Sequence, residues 1–301
     1  MPSPAPADVL IIGGSYAGLS AALQLLRPGR RVTIIDAGQR RNRFAAHAHN
    51  LIGFDGVPPG EIAARARADV MAYPTLTWVE GLAESVSRGP EGFTATLTDG
   101  SRQSGAQLIL ATGVADELPG TPGLAPLWGS HVFHCPYCHG TELGGRRAAV
   151  LASAPVSRHQ AQMVRDWGPV TYLANGADPL DEATLADFAA RDVAIETAPV
   201  TSVAAAGADI ETRLADGRAL TFAGLFIAPA QRPASPIAAQ LGCDTEETPF
   251  GSGLRVGPMQ ETSVPGVFAC GDLAAGPQSL AAAIGRGQMA GAGAHRALLF
   301  P

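Results

Sequence analysis

Two cysteines separated by two residues, Cys135 and Cys138, lie in a histidine-rich segment, residues 131–142. Such a pair can close a small disulfide ring that opens and shuts without moving the fold, which suits a redox switch. His134 and His139 flank the pair, and an imidazole beside a thiol lowers its pKa or takes the proton that accompanies disulfide chemistry. We therefore assign Cys135, Cys138 and His139 as catalytic candidates, with the role of His134 open.

The same spacing has two other interpretations. A Cys-x-x-Cys pair is half of a zinc site, but zinc needs two further ligands, and the other cysteines, Cys243 and Cys270, are single and distant in sequence. We expect no metal. A purely structural disulfide is the second alternative, and Cys243 and Cys270 are expected to be small buried residues.

Composition bounds the class of protein. A chain of 301 residues is long enough for two domains, and with 46% hydrophobic and 16% charged residues it is expected to be compact and soluble. The net charge of −6 argues against a nucleic-acid partner. No secretory signal or membrane-spanning run is apparent, and only four cysteines are present, so we expect a cytoplasmic protein without a membrane partner.

A glycine-rich turn near the start predicts a dinucleotide site. Residues 8–12 form a predicted strand, residues 19–26 a helix and residues 31–35 a second strand that ends on Asp36. Between the first strand and the helix, backbone N–H groups can receive a pyrophosphate, and the acid can accept from ribose hydroxyls. A glycine turn in an unrelated α/β domain is the alternative, since Ser15 replaces the middle glycine of the motif. The candidate binding residues in the turn are Gly13, Gly14, Ser15, Ala17 and Gly18.

A second strand–helix–strand unit is predicted at residues 148–152, 158–167 and 170–174. Its turn, residues 153–157, has no glycine and contains a proline, which makes a poor cradle for a pyrophosphate. Residues 175–178, after its second strand, lack the arginines that would hold a 2′-phosphate. The unit is predicted to keep the shape of a nucleotide-binding domain without its chemistry.

The remaining segments complete the predicted architecture. We expect a loop at 41–60, a helix at 61–72, a hairpin-rich unit around 75–80 and 93–98 with an Asp99-Gly100 turn, and a buried strand at 108–110. That strand runs into Ala111, Thr112 and Gly113. A late strand, 262–272, ends in Gly271-Asp272, and a helix follows at 279–298. Asp272 could accept from the ribityl hydroxyls of a flavin.

In this order, these motifs resemble the low-molecular-weight thioredoxin reductase family of flavoproteins over nearly the whole chain. The resemblance implies an α/β fold of two Rossmann-like three-layer domains. It places a discontinuous FAD-binding domain at residues 1–117 and 243–301, and an inserted, degenerate NAD(P)-like domain carrying the dithiol at 118–242. It further implies a homodimer, with Cys138 nearest the flavin, Cys135 exchanging with substrate, and Asn50, Asp272 and Gln278 along the FAD.

Two departures from that family change the predicted function. The chain lacks the nicotinamide motifs, and His139 stands where the NADPH-dependent members have an aspartate. Both features resemble the dithiol oxidases of gliotoxin- and holomycin-type metabolites, in which electrons run from substrate dithiol to enzyme disulfide to FAD to oxygen. The sequence does not identify the substrate, for which we expect either a small dithiol or a thioredoxin-like protein. The alternatives are an NAD(P)H- or ferredoxin-dependent reductase and a flavin-bound redox sensor.

Overall fold

The computed structural model describes residues 6–177 and 179–300, which form two compact units. The first unit runs up to Arg43 and also contains Pro59–Ala115 and the chain from Gln231 onward; the second contains Phe44–Pro58 and Asp116–Ala230. Residues 44–58 thus group with the second unit and residues 231–242 with the first. The assignment of residues 1–117 and 243–301 to FAD binding and of residues 118–242 to an NAD(P)-like domain stays a prediction. Asp178, the last residue of the arginine-free stretch 175–178, lies outside the described residues.

Nineteen strands are present in the described part of the chain. In chain order they are β1 (Ala7–Ile12), β2 (Val32–Asp36), β3 (Leu76–Glu80), β4 (Ala83–Gly89), β5 (Gly92–Leu97), β6 (Arg102–Leu110), β7 (Val114–Glu117), β8 (Val132–Phe133), β9 (Ala148–Leu151), β10 (Val170–Leu173), β11 (Val193–Glu196), β12 (Val200–Ala206), β13 (Asp209–Leu214), β14 (Ala219–Phe222), β15 (Leu225–Phe226), β16 (Ala230–Pro233), β17 (Thr245–Thr248), β18 (Gly251–Leu254) and β19 (Val267–Ala269).

The α-helices range from one to about five turns. They are α1 (Tyr16–Leu26), α2 (Pro59–Met71), α3 (Pro136–His139), α4 (Ser157–Val164), α5 (Glu182–Ala190), α6 (Ile237–Gln240) and α7 (Leu280–Leu299). Short 3-10 turns occur at Arg41–Phe44, Ala125–Leu127, Thr141–Leu143, Arg165–Trp167 and Gly271–Leu273. Among the described helices, none is both long and apolar enough to cross a membrane.

The first unit is organised around a seven-stranded sheet. Six of its strands follow the order β3-β2-β1-β6-β5-β4, and the seventh, β19, also pairs with β6. Strand β6 pairs in parallel with β1 and, at its C-terminal end, with β19; its N-terminal end pairs antiparallel with β5. Because side chains alternate across a strand, Val9 and Ile11 of β1 enter one buried cluster, while Leu10 and Ile12 enter another. The first cluster includes residues of α1 and α7, so these helices cover one face of the sheet.

The second unit contains a five-stranded parallel sheet with the order β11-β10-β9-β15-β8. Its central strand, β9, is an aliphatic run that is buried throughout, as a parallel strand covered on both faces requires. A separate antiparallel sheet, β12-β13-β14, packs in the same unit. The predicted α/β class with two Rossmann-like domains is confirmed, with a mixed sheet in the first unit and a parallel sheet in the second.

One local prediction was wrong. The segment around residues 75–80 was expected to belong to a hairpin, but β3 pairs in parallel with β2, with Ile34 opposite Trp78. The hairpin partner of β5 is β4, which the sequence pattern did not reveal because its polar residues interrupt the alternation. The Asp99-Gly100 turn does join β5 to β6, as predicted.

Helices α1 and α7 approach each other through glycines, and this contact generates a stability prediction. A Cβ at Gly287 would overlap the carbonyl oxygen of Ala17, whereas a Cβ at Gly285, two residues earlier in α7, would meet nothing within 4 Å. We expect Gly287→Ala to lower the free energy of unfolding by about 1–3 kcal/mol. Gly285→Ala, the matched control, should be neutral or stabilising by up to about 1 kcal/mol. Urea denaturation measures both, and equal midpoints for the two variants would contradict the packing argument.

Candidate active site

The turn between β1 and α1 leaves no room for side chains. Gly13 has φ +109°, and a Cβ there would overlap the carbonyl oxygen of Ala111; a Cβ at Gly18 would overlap the carbonyl oxygen of Gly13. Ala111 is itself held against the first strand, since its N–H donates to the carbonyl of Ile12 at 2.8 Å. The predicted glycine turn and the Ala111 segment therefore meet backbone to backbone.

Gly14 and Asp36 are joined across the turn. The N–H of Gly14 donates to Oδ1 of Asp36 at 3.1 Å, and a Cβ at Gly14 would lie 2.5 Å from Cη2 of Trp78 and 2.7 Å from Cβ of Asp36. Ser15 precedes α1 with an extended backbone, and its side chain makes no capping hydrogen bond. The first N–H groups of a helix lack intrahelical partners, so this end of α1 suits an anionic group.

The late strand ends beside the same turn. Gly271 has φ +71°, and a Cβ there would lie 2.9 Å from that of Ala17. Gly113, with φ +68°, accepts at its carbonyl from the N–H of Ala234 at 3.1 Å, and Thr112 lies between Ala111 and Gly113. The structure thus assembles Gly13, Gly18, Ala17, Ala111 and Gly271 from three distant parts of the chain.

An arginine that sequence reasoning missed links Asp272 and Gln278. One guanidinium nitrogen of Arg41, Nη1, donates to Oδ2 of Asp272 at 2.8 Å and to Oε1 of Gln278 at 2.7 Å. The amide nitrogen of Gln278 donates in turn to Oε1 of Gln231 at 2.8 Å. The only sequence signal was the run of arginines that begins four residues after Asp36, which does not indicate a partner more than two hundred residues away.

Cys135 and Cys138 form a disulfide, with their Cα atoms 5.3 Å apart. Both are half-buried: Cys135 caps the one-turn helix α3, Pro136 begins it, and Cys138 lies within it. Tyr137 between them is 60% exposed and contacts the ring of Trp167 edge to face, with centroids 5.2 Å apart. The disulfide ring is therefore accessible on one side and packed on the other. The remaining cysteines are free and buried, and burial raises the pKa of Cys270 to about 12.

The two histidines beside the disulfide have different surroundings. His139 stacks on Phe133, with ring centroids 4.3 Å apart, and its Nδ1 is buried. Burial lowers the pKa of His139 below its ordinary value, the Glu142 carboxylate opposes that shift and His49 adds to it. His134 lies beside Trp128, and its backbone carbonyl accepts from Nε2 of Gln160 at 2.7 Å.

Asn50 lies in the second unit, next to the disulfide ring. Its Nδ2 donates to the carbonyl of Tyr137 at 2.7 Å, and its backbone has φ +62°. The expectation that Asn50 lies along a dinucleotide stays a prediction. What the structure adds is a contact between this asparagine and the residue between the two cysteines.

The glycine-free turn after β9 is closed by its own side chains. The Oγ of Ser157 accepts from the N–H groups of Ser153 and Ala154, both at 3.2 Å, and Ser157 is fully buried. The Oγ of Ser153 in turn accepts from the N–H of Ala228 at 3.0 Å. The N–H groups of Ser153 and Ala154, two backbone donors of this turn, are thus already satisfied within the protein.

Known proteins share both the sequence and the fold. The pattern of the family described as pyridine nucleotide-disulphide oxidoreductase matches residues 7–287. The chain belongs to that family. The oxidoreductase is 32% identical over 307 residues to thioredoxin reductase tcpT of Claviceps purpurea, covering 97% of this chain and 94% of that protein.

Two solved structures extend the comparison. The crystal structure of an oxidoreductase from Agrobacterium tumefaciens superposes with a TM-score of 0.94 at 48% identity, covering 99% of this chain and all of that one. The crystal structure of HlmI gives a TM-score of 0.92 at 30% identity, covering 99% and 94% of the two chains. The predicted resemblance to thioredoxin reductase-like flavoproteins is confirmed.

The oxidoreductase is an FAD-dependent disulfide oxidoreductase, as thioredoxin reductase-like members of its family are. The geometry of the first unit fits that cofactor. A Cβ added at Gly13, Gly14 or Gly18 would clash with a neighbour, Asp36 stands at the end of β2, and the first N–H groups of α1 are uncapped by side chains. These are the features that a dinucleotide pyrophosphate and ribose need.

A substitution in the turn tests this fit. We expect Gly14→Ala to weaken FAD binding about tenfold or more, because the added methyl group would overlap Trp78 and Asp36. The ratio of visible flavin absorbance to protein absorbance in purified protein measures the occupancy. Gly89→Ala is the control, since a Cβ there meets nothing within 4 Å. Full flavin content in Gly14→Ala would disprove the assignment.

Proposed function

We propose that this oxidoreductase oxidises a substrate dithiol to a disulfide through Cys135 and Cys138, with oxygen as final acceptor and without NADPH. The observation that carries the proposal is the turn after β9. There Ser157 takes up the N–H groups of Ser153 and Ala154, and no residue from 153 to 157 has a positive φ. A nicotinamide dinucleotide would have to displace buried hydrogen bonds to bind in the usual way.

The thiol chemistry follows from the accessible disulfide. A substrate thiolate attacks the Sγ of Cys135, the bond between Cys135 and Cys138 breaks, and Cys138 leaves as a thiolate. The second substrate thiolate then attacks the substrate sulfur of the mixed disulfide, and Cys135 leaves. Two electrons have moved from the substrate to the enzyme dithiol. When bound, FAD supplies the acceptor that restores the disulfide and passes the two electrons to oxygen, which leaves as hydrogen peroxide.

His139 is the proposed proton acceptor. The attacking species is a thiolate, so each substrate thiol must lose its proton. A neutral imidazole can take that proton, and burial against Phe133 lowers the pKa of His139, which keeps the ring neutral at physiological pH. Protonated His139 would then stabilise the thiolate left on the enzyme.

The cofactor-binding assignments are part of the same proposal. The glycine turn and Asp36 would hold the pyrophosphate and ribose of FAD. The remaining candidates would line the rest of the cofactor: Asn50, Ala111, Thr112, Gly113, Gly271, Asp272 and Gln278. Arg41 joins this set because it fixes Asp272 and Gln278 through one guanidinium nitrogen.

A reductase is the second candidate. It is favoured by the name of the Claviceps purpurea relative, a thioredoxin reductase, which is 32% identical to this chain over 307 residues. In either direction the substrate class is a small dithiol or a thioredoxin-like protein. We further propose a homodimeric, cytoplasmic enzyme, as the family resemblance implies.

An anaerobic flavin-bleaching experiment separates the two functions. We expect a small dithiol such as dithiothreitol to bleach the visible flavin band, and admitted air to restore it with release of hydrogen peroxide. NADPH at the same concentration should leave the band unchanged, because the N–H groups of Ser153 and Ala154 already donate to Ser157. Rapid bleaching by NADPH would refute the oxidase proposal and support a reductase.

Removing either thiol of the pair should abolish turnover. Cys135→Ser and Cys138→Ser each leave one thiol, which cannot form the intramolecular disulfide, so dithiol oxidation should fall at least about a thousandfold. Oxygen consumption measures the rate, and flavin absorbance should stay at the wild-type level. Cys243→Ala, which alters a buried free cysteine in the other unit, is the control. Persistent turnover in either serine variant would rule out the scheme.

A further inference from the structure

A loop far from the cysteines in sequence contacts their segment at two points. The loop, residues 48–57, is closed on itself by a bridge between Ala48 and Val57. Asn50 reaches the carbonyl of Tyr137, inside the disulfide ring, at 2.7 Å. His49, the preceding residue, reaches Glu142, three residues beyond His139. The loop and the dithiol segment belong to the same compact unit.

His49 is held between two carboxylates. Its Nε2 lies 3.3 Å from Oε1 of Glu142, and its Nδ1 lies 3.5 Å from Oδ1 of Asp55. Asp55 also accepts from the N–H of Asn50 at 2.9 Å, so one carboxylate organises both loop residues that face the dithiol segment. The side chain of His49 is 19% exposed, whereas those of Asp55 and Glu142 are 70% and 44% exposed. The least exposed member of the trio is thus the histidine.

Glu142, the residue that His49 contacts, lies three residues after the proposed proton acceptor, His139, in sequence. His139 is covered on one face by the Phe133 ring of β8, and its Nδ1 is buried. The charged groups that act on it are Glu142, from the turn that follows α3, and His49, from the loop. Neither His49 nor Glu142 takes part directly in the proposed thiol chemistry of Cys135, Cys138 and His139.

We propose that His49 is a positioning residue for the thiol chemistry: paired with Glu142, it governs whether His139 is free to accept a proton from the substrate. This inference rests on the proposed dithiol chemistry and deepens it. His49 does not touch the disulfide and acts through His139. The two residues act on His139 in opposite directions, because the charge interaction with His49 lowers the pKa of His139, while that with the Glu142 carboxylate raises it.

The direction of the effect of each residue follows from its charge. Protonated His139 cannot accept a proton, so activity falls as the pH drops through the pKa of His139. Loss of His49 leaves Glu142 unopposed, which raises that pKa and moves the acidic limb of the rate profile to higher pH. Loss of the Glu142 carboxylate has the opposite effect and moves the limb to lower pH.

Nuclear magnetic resonance titration of His139 in the resting FAD-loaded protein tests this without any turnover. In His49→Gln we expect the midpoint of the His139 imidazole signal to rise by about 0.5–1 pH unit, and in Glu142→Gln to fall by a similar amount. His47→Gln is the matched control, since His47 is an exposed histidine two residues from His49 in sequence. It should leave the midpoint within error of wild type.

The outcomes are distinct from those of the bleaching experiment. A His139 midpoint that does not move in His49→Gln, or that moves in the same direction in both variants, would overturn the inference. Opposite shifts support it even if oxygen proves not to be the acceptor. A second readout is the pH dependence of flavin bleaching by dithiothreitol, whose acidic limb should move with the His139 midpoint in each variant. An acidic limb that stays fixed while the His139 midpoint moves would refute His139 as the proton acceptor. The oxidase scheme itself is tested separately, by Cys135→Ser and Cys138→Ser.

Discussion

Helix α1 can begin where it does only because Gly13 and Gly14 before it and Gly18 in its first turn lack a side chain. The backbone of Gly13 passes against the carbonyl of Ala111, and a Cβ at Gly14 or Gly18 would overlap a neighbour. The same crowding recurs where α7 crosses α1, at Gly287 and Gly291. The first unit is therefore built around backbone-to-backbone contact at one end of its sheet, and that close approach lets a pyrophosphate reach helix N–H groups.

The dithiol segment obeys a different constraint. Its ring is local, four residues long, and its reactivity depends on protons rather than on close packing. The groups that set those protons come from elsewhere: Phe133 buries His139, Glu142 follows it, and His49 comes from a loop some ninety residues earlier in the sequence. A short motif can thus be present in the sequence while its chemistry is set by contacts that the motif does not contain.

This difference explains what could be predicted from the sequence. Glycine turns, strand ends and the Cys-x-x-Cys pair have a fixed local meaning, so the glycine turn with Asp36 and the dithiol could be predicted from the residues themselves. The fold of two Rossmann-like domains and the places of Asn50 and Gln278 along the FAD came from the family resemblance. Long-range polar pairs have no such signature. Neither the link from Arg41 to Asp272 nor the pair formed by His49 and Glu142 leaves a trace in hydrophobic periodicity. The parallel pairing of β3 was missed for the same reason, since register across a sheet is decided by tertiary packing.

Both constraints, on the nucleotide-binding turn and on the dithiol segment, apply to the second Rossmann-like unit. In its turn after β9, the N–H groups of Ser153 and Ala154 donate to the Oγ of Ser157, so they are not free to bind a ligand at the start of α4. Yet α4 supports the dithiol: Gln160, buried in that helix, donates to the carbonyls of His134 and Ile227 at 2.7 and 3.0 Å. Trp167, just beyond the helix, packs against Tyr137 and leaves no room for a Cβ at Gly140. The sheet and helix of the second unit thus hold the disulfide segment in place, and this structural role is independent of any nucleotide chemistry.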